Sequence, residues 1–217
     1  MMEHNKLAYS LGTLPDDYQE VLHWTITENP VRVIILQVLS IPLFIILGLI
    51  FLQMAISLGR LPSRIQFGLV ESGIALGGIL LTLVFHELTH GLVMKIFGAK
   101  PSYGILWKQA MFYATTPGFA YQRNSYLQIA LAPLIALSSL SVLGMWLMGG
   151  TAWVAFCALC GVINASGAIG DLWMTIIVLR YPVSAYVMDE RDGIRIFLSK
   201  PRSEADKKPA QQNAGTA

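Results

Sequence analysis

The chain has 217 residues, 15 Lys and Arg against 13 Asp and Glu, and a formal net charge of +2. Charged residues make up 13% and apolar ones 54%, where a soluble domain carries about 25% charged residues. These figures exclude a soluble domain with an ordinary polar surface. They also exclude a nucleic-acid binder, which needs a basic stripe with interleaved aromatics, and the two cysteines, Cys157 and Cys160, give no disulfide framework.

Residues 1–30 are acidic, with Glu3, Asp16, Asp17, Glu20 and Glu28 against Lys6. No basic segment precedes a short apolar core there, so no signal peptide is expected. Four apolar segments follow, each reaching the roughly 20 residues that cross a bilayer. They run over about 31–58 with Pro42 inside, 67–97, 126–148 with Pro133 inside, and 151–179. The expected fold is an all-α polytopic membrane protein with four transmembrane helices and small surface β-strands on the cytoplasmic side. The strands are expected in the loop from Gly98 to Asn124, where Ile105-Leu106-Trp107 and Met111-Phe112-Tyr113 flank Lys108-Gln109, and in a hairpin from Val183 to Leu198 around Asp189-Glu190-Arg191-Asp192-Gly193. Residues 1–198 read as one membrane domain and 199–217 as a disordered cytoplasmic tail.

The N-terminal segment, the loop after the second span and the C-terminal tail together hold twelve Lys and Arg, against Arg60 and Arg64 on the other side. The positive-inside rule then places both termini in the cytoplasm and the chain in the cell membrane as a multi-pass protein.

The second span contains His86-Glu87-Leu88-Thr89-His90. Histidines four apart share one helical face, one turn apart, so two imidazoles reach one Zn²⁺. Glu87 beside them has the place of a general base on a zinc-activated water. Away from the ends of the four spans the ionisable residues are His86, Glu87, His90 and Asp171 alone, and ionisable groups at membrane depth are costly and usually functional. A catalytic zinc takes three protein ligands and an open position. Asp171 is the expected third, since it lies about as far along the fourth span as His86 does along the second. Glu71, near the far end of the second span, is the reserve.

Asn164 precedes Asp171 by seven residues on nearly the same face. It either donates to a developing oxyanion or to substrate backbone, or hydrogen-bonds between helices. Gly161, Ala165 and Ala168 form a small-residue ridge for close packing, while Gly167 and Gly170 either loosen the helix or pack closely. Cys157 and Cys160 have the spacing of a redox pair but read as apolar filler.

His86-Glu87-Leu88-Thr89-His90-Gly91, Phe97-Gly98-Ala99-Lys100-Pro101-Ser102-Tyr103-Gly104, Leu131-Ala132-Pro133-Leu134 and the run from Asn164 to Asp171 resemble the "putative zincin peptidase" family of small bacterial membrane proteins. The resemblance extends from about Leu14 to Leu198, and that family is similar to the site-2 protease clan. It implies His86, His90 and Asp171 as ligands and Glu87 as base. Site-2 proteases have glycine after the aspartate and prolines before it, whereas here Leu172 follows and no proline lies between Asn164 and Asp171.

The leading expectation is a membrane-embedded zinc endopeptidase acting on a protein or peptide substrate associated with the lipid bilayer, the substrate held as an added strand by residues 98–124. The alternative is a non-catalytic zinc-binding scaffold, or pseudoprotease. A transporter ranks lower, because the polar residues cluster at one depth. Oligomeric state is not legible.

Overall fold

The structure, a computed structural model, describes residues 12–58, 61–109 and 111–200. Strand β1 (Tyr18–Thr25) leads into helix α1 (Pro30–Ser57). Asn29 caps α1, its side chain accepting from the Val31 N–H at 2.9 Å, and Pro30 opens the helix where no N–H is needed. Helix α2 (Leu69–Ile96) returns the chain to the end where α1 began. Strands β2 (Ser102–Leu106), β3 (Met111–Thr115) and β4 (Ala120–Gln122) follow, then helix α3 (Arg123–Leu147). The fourth apolar segment is two helices, α4 (Trp153–Gly167) and α5 (Ile169–Leu179), bent by 42° at Ala168. Strands β5 (Tyr186–Glu190) and β6 (Gly193–Ser199) close the chain.

Helices α1, α2 and α3 are each long and apolar enough to cross a membrane, and α4 with α5 makes a fourth passage if the bent pair is one span. Their outward faces are apolar. Ile34, Ile41, Ile45 and Leu49 of α1 are each 57–62% exposed, an arrangement water penalises and acyl chains tolerate. This is consistent with a membrane protein.

The strands are more extensive than small surface pieces. β1, β6, β5 and β4 form one antiparallel sheet in that order, and β2 with β3 forms a separate hairpin. The expected hairpin in 183–198 is β5–β6, and the expected strands in 98–124 are β2, β3 and β4. Strand β1 was not expected. It pairs with β6 from Thr25↔Gly193 to Tyr18↔Ser199, and Gly193 is needed there because a Cβ would run into the backbone of Trp24 and Thr25. Ser199 ends β6 and the Lys200 N–H bonds the Asp17 carbonyl at 2.7 Å, so the ordered body extends two residues past 198. The rest of the expected disordered tail, and Lys6, lie outside the described residues.

The sheet caps one end of the helix bundle. Tyr121, Val187, Ile194 and Ile196 pack with Met94 of α2, Ile129 of α3 and Val178 of α5 in one buried cluster. A second cluster, with Phe51, Ala55, Met145, Val154 and Val162, joins α1, α3 and α4. Gly161 allows that approach, since a Cβ there would meet the Phe51 ring and Ser141. The expected small-residue ridge is therefore an interface, and Ala165 and Ala168 are buried with it.

The connection from α1 to α2 and the turn from α3 to α4 lie opposite the sheet. Reporter fusions after Pro62 and Gly150 should therefore report one side of a membrane and a fusion after Gln109 the other. Agreement of all three would refute this threading.

Candidate metal centre

Helix α2 presents His86 and His90 inward, 9% and 7% exposed. The four-residue spacing places their rings 5.0 Å apart, edge to face. The bend at Ala168 brings Asp171, in the first turn of α5, against both of them. Its Oδ2 lies 3.0 Å from His86 Nε2 and its Oδ1 3.3 Å from His90 Nε2. Ligand atoms of His86, His90 and Asp171 all lie within 4.8 Å of one another. A carboxylate in a helix's first turn also faces the positive end of the helix dipole.

Each imidazole is oriented from behind. His86 Nδ1 donates to Asn164 Oδ1 at 3.0 Å, and His90 Nδ1 donates to the Ile129 carbonyl at 2.9 Å. That carbonyl is available for a covalent reason. Its helical partner four residues on is Pro133, which has no N–H and whose ring pushes the carbonyl outward. The Pro133 carbonyl in turn accepts from Asn164 Nδ2 at 3.0 Å, and Ser138 Oγ accepts from the same nitrogen at 3.3 Å. One proline and one asparagine thus set both rings, in the way that outer hydrogen bonds orient metal-ligating histidines.

The donor set fits a divalent cation. A neutral imidazole that donates from Nδ1 carries its lone pair on Nε2. Here the Nε2 of each ring faces the Asp171 carboxylate at 3.0 and 3.3 Å, and a divalent cation would take the place of the protons that otherwise join these atoms. Two imidazoles and a carboxylate are a common set for zinc with an open position.

Glu87 lies on the adjacent flank of α2, half-buried, and faces residues 111–114 of β3 across the cleft. It lines a cleft of about 130 Å³ with His86, His90, Asp171, Gly167 and Gly170. A Cβ at Gly167 or Gly170 would meet nothing within 4 Å, so these glycines serve neither close packing nor a tight turn but leave the cleft floor open. A second opening of about 230 Å³ reaches Glu87 and His86 from between Leu83, Phe112 and Ile163.

The structure thus gathers His86, His90, Asp171 and Glu87 at one cleft and places Asn164, 1% exposed, behind His86. Both donor positions of the Asn164 amide are committed, so its geometry matches inter-helix positioning rather than an oxyanion donor. Glu71 is exposed, about 22 Å along the helix from His86, and takes no part. Cys157 and Cys160 line an apolar cavity with Phe85, Leu137, Leu140 and Phe156. Two residues at or behind the cleft escaped the sequence reading. Pro133 was legible, since a proline four residues after a carbonyl always frees it. Asp189 of β5 was not, because only the sheet brings it to this cleft.

Compared with known proteins, residues 79–186 match the family described as "Putative zincin peptidase", close to half of the chain and spanning the whole cluster. The chain is also similar to the "Uncharacterized 24.7 kDa protein in gap 5'region" of Pyrococcus woesei, 29% identical over 116 residues, 52% of this chain and 49% of that protein. The chain thus spans about half the length of the curated relative it matches. No solved structure matches. The family match supports a zincin-like metallopeptidase and, with it, zinc as the metal.

Asp171→Ala should strip the centre of its only anionic ligand, and chelator titration of purified protein should show zinc released at far lower chelator concentration than from the wild type. Pro133→Ala restores an N–H that competes with His90 for the Ile129 carbonyl. Zinc affinity should fall by about 10- to 100-fold, the usual cost of losing an outer-shell partner, with the circular dichroism spectrum retained. Unchanged affinity in Pro133→Ala would show that the ring is held without that carbonyl.

Proposed function

We propose that this chain is a membrane-embedded zinc metallopeptidase that hydrolyses peptide bonds of membrane-associated substrates. One observation carries the reading: two imidazole Nε2 atoms and a carboxylate converge within 4.8 Å of one another at a cleft in which a further carboxylate, Glu87, stands beside them. Zinc, when bound by His86, His90 and Asp171, supplies a Lewis acid that polarises the scissile carbonyl and makes water acidic near neutral pH. Glu87 takes a proton from the water that attacks the carbonyl carbon and delivers it to the leaving amide nitrogen, so the peptide bond breaks with no net change in Glu87. Asn164 and the Ile129 carbonyl keep the two rings from turning.

A substrate reaches the centre in extended form. β3 pairs only with β2 among the described residues, and Met111, Phe112, Tyr113 and Ala114 line the cleft. An extended segment added along the free edge of β3 has its backbone partnered and its amide beside Glu87. The opening past Leu83 and Ile163 offers a lateral route for a chain that leaves the lipid and unwinds. The sequence asymmetry, twelve Lys and Arg in the N-terminal segment, the loop after α2 and the C-terminal tail against Arg60 and Arg64, orients the protein with both termini in the cytoplasm. The pairing of histidines and aspartate across two spans is the feature shared with the site-2 protease clan. A zinc scaffold without catalysis has no use for Glu87 at the open side of the metal.

Glu87→Gln should retain zinc at the wild-type stoichiometry and lose turnover of a single-span model substrate by at least about a hundredfold, as loss of a general base does. Metal content and cleavage belong on the same preparation. Undiminished cleavage by the variant would remove Glu87 from the chemistry, and a zinc-loaded wild type with no cleavage of any membrane substrate would favour the scaffold.

A further inference from the structure

The cleft contains a carboxylate that the metal centre does not use. Asp189, at the fourth position of β5, is 9% exposed and lines the same cleft as His86, His90 and Asp171. Its backbone carbonyl accepts from the Thr115 hydroxyl at 3.2 Å and its Oδ1 from the Tyr126 hydroxyl at 3.5 Å. Its Oδ2 has no hydrogen-bond partner. The neighbouring acidic groups are satisfied: Glu190 pairs with His23 at 3.2 Å and with Arg195 at 3.7 Å, and Asp192 accepts from the Thr27 hydroxyl. Among the described residues no Lys or Arg forms an ion pair with Asp189.

A buried carboxylate oxygen with no partner is expensive, and proteins keep such groups where something else completes them. The metal is not that partner. Asp171 and Glu87 already balance a dication between neutral imidazoles, so Asp189 is surplus negative charge at the wall of a site that admits peptide. Burial pushes its carboxyl up, and a cation in contact with it would favour the ionised form.

We propose that Asp189 forms a subsite beside the metal centre for a cationic group of the substrate chain. This rests on the peptidase reading above. A lysine or arginine side chain near the scissile bond and a free amino terminus share the required chemistry, and both donate to a carboxylate from a positive centre. The side chain is the more abundant source, because the cytoplasmic ends of membrane spans are enriched in Lys and Arg, and the sheet end of this protein is the end assigned to the cytoplasm. The subsite would let the enzyme select the basic boundary of a substrate span over its apolar interior.

The test measures binding of fluorescent ten-residue peptides of Ala, Val and Leu, N-acetylated and carrying a single Lys, norleucine or Glu, to the zinc-loaded chain in lipid nanodiscs. The Glu87→Gln background prevents turnover. A fourth peptide has norleucine and a free amino terminus. The Lys peptide should bind at least tenfold more tightly than its norleucine counterpart, and the Glu peptide no better than norleucine. Tighter binding of the fourth peptide over acetylated norleucine would assign the cation to the amino terminus. Asp189→Asn should bring the preference for the cation close to one, and Asp189→Glu should keep part of it. Equal binding of the Lys and norleucine peptides, with no gain from a free amino terminus, would overturn the subsite without any variant having to fold. So would a preference that survives Asp189→Asn. Cleavage by the wild type with no preference for a basic substrate would keep the peptidase and refute the subsite. Asp189-dependent selection of the cation with no cleavage of any peptide would do the reverse.

Discussion

Everything at the centre of this protein depends on two imidazole rings that are not free to rotate. A buried ring nitrogen is costly to leave without a partner. His86 and His90 each spend Nδ1 on an acceptor behind them, Asn164 Oδ1 and the Ile129 carbonyl. That choice turns both Nε2 atoms toward Asp171, at 3.0 and 3.3 Å. A helix normally has no spare carbonyl to offer. α3 has one because Pro133 cannot donate to Ile129, so a residue that weakens a helix in isolation completes the site in the bundle.

The second device is the break in the fourth apolar segment. A straight helix from Trp153 to Leu179 would place Asn164 and Asp171 on nearly one face, both as wall residues. The 42° bend at Ala168 separates their tasks: Asn164 stays in α4, packed behind His86, and Asp171 enters the first turn of α5 in front of it. Gly167 and Gly170 flank the bend without side chains, and the space they leave is the cleft floor. The bend and the cavity have a common cause in these small residues.

The sheet then determines what else reaches the metal. β3 borders the cleft beside Glu87, and a Cβ at Gly91 would overlap the Tyr103 hydroxyl, so the β2–β3 hairpin sits against the helix that carries the histidines. From the other side β5 supplies Asp189, held through its backbone by Thr115 of β3. Tyr121, fully buried in the sheet–bundle core and hydrogen-bonded to Thr116, has its phenol pushed up to about 12 by that burial, which marks how dry the junction is.

Much of this was written in local sequence. The long apolar helices follow from length and hydropathy alone, each reaching the length that a bilayer would require. The ligand pair on α2 follows from helical periodicity, and the depth of Asp171 from a constant rise per residue. What local sequence could not decide were the facts made by packing between distant segments. Strand β1 is defined by pairing with β6, some 170 positions away, and carries no period that separates it from an acidic leader. The role of Asn164 turned on whether its amide hydrogens were already taken, which only the approach of Pro133 and Ser138 reveals. Asp189 reads as one residue of a charged turn, and it becomes part of the cleft because β5 is threaded between β4 and β6. Periodicity within a segment is encoded by that segment; the partner that satisfies a hydrogen bond is a property of two segments, and only the folded chain brings both together.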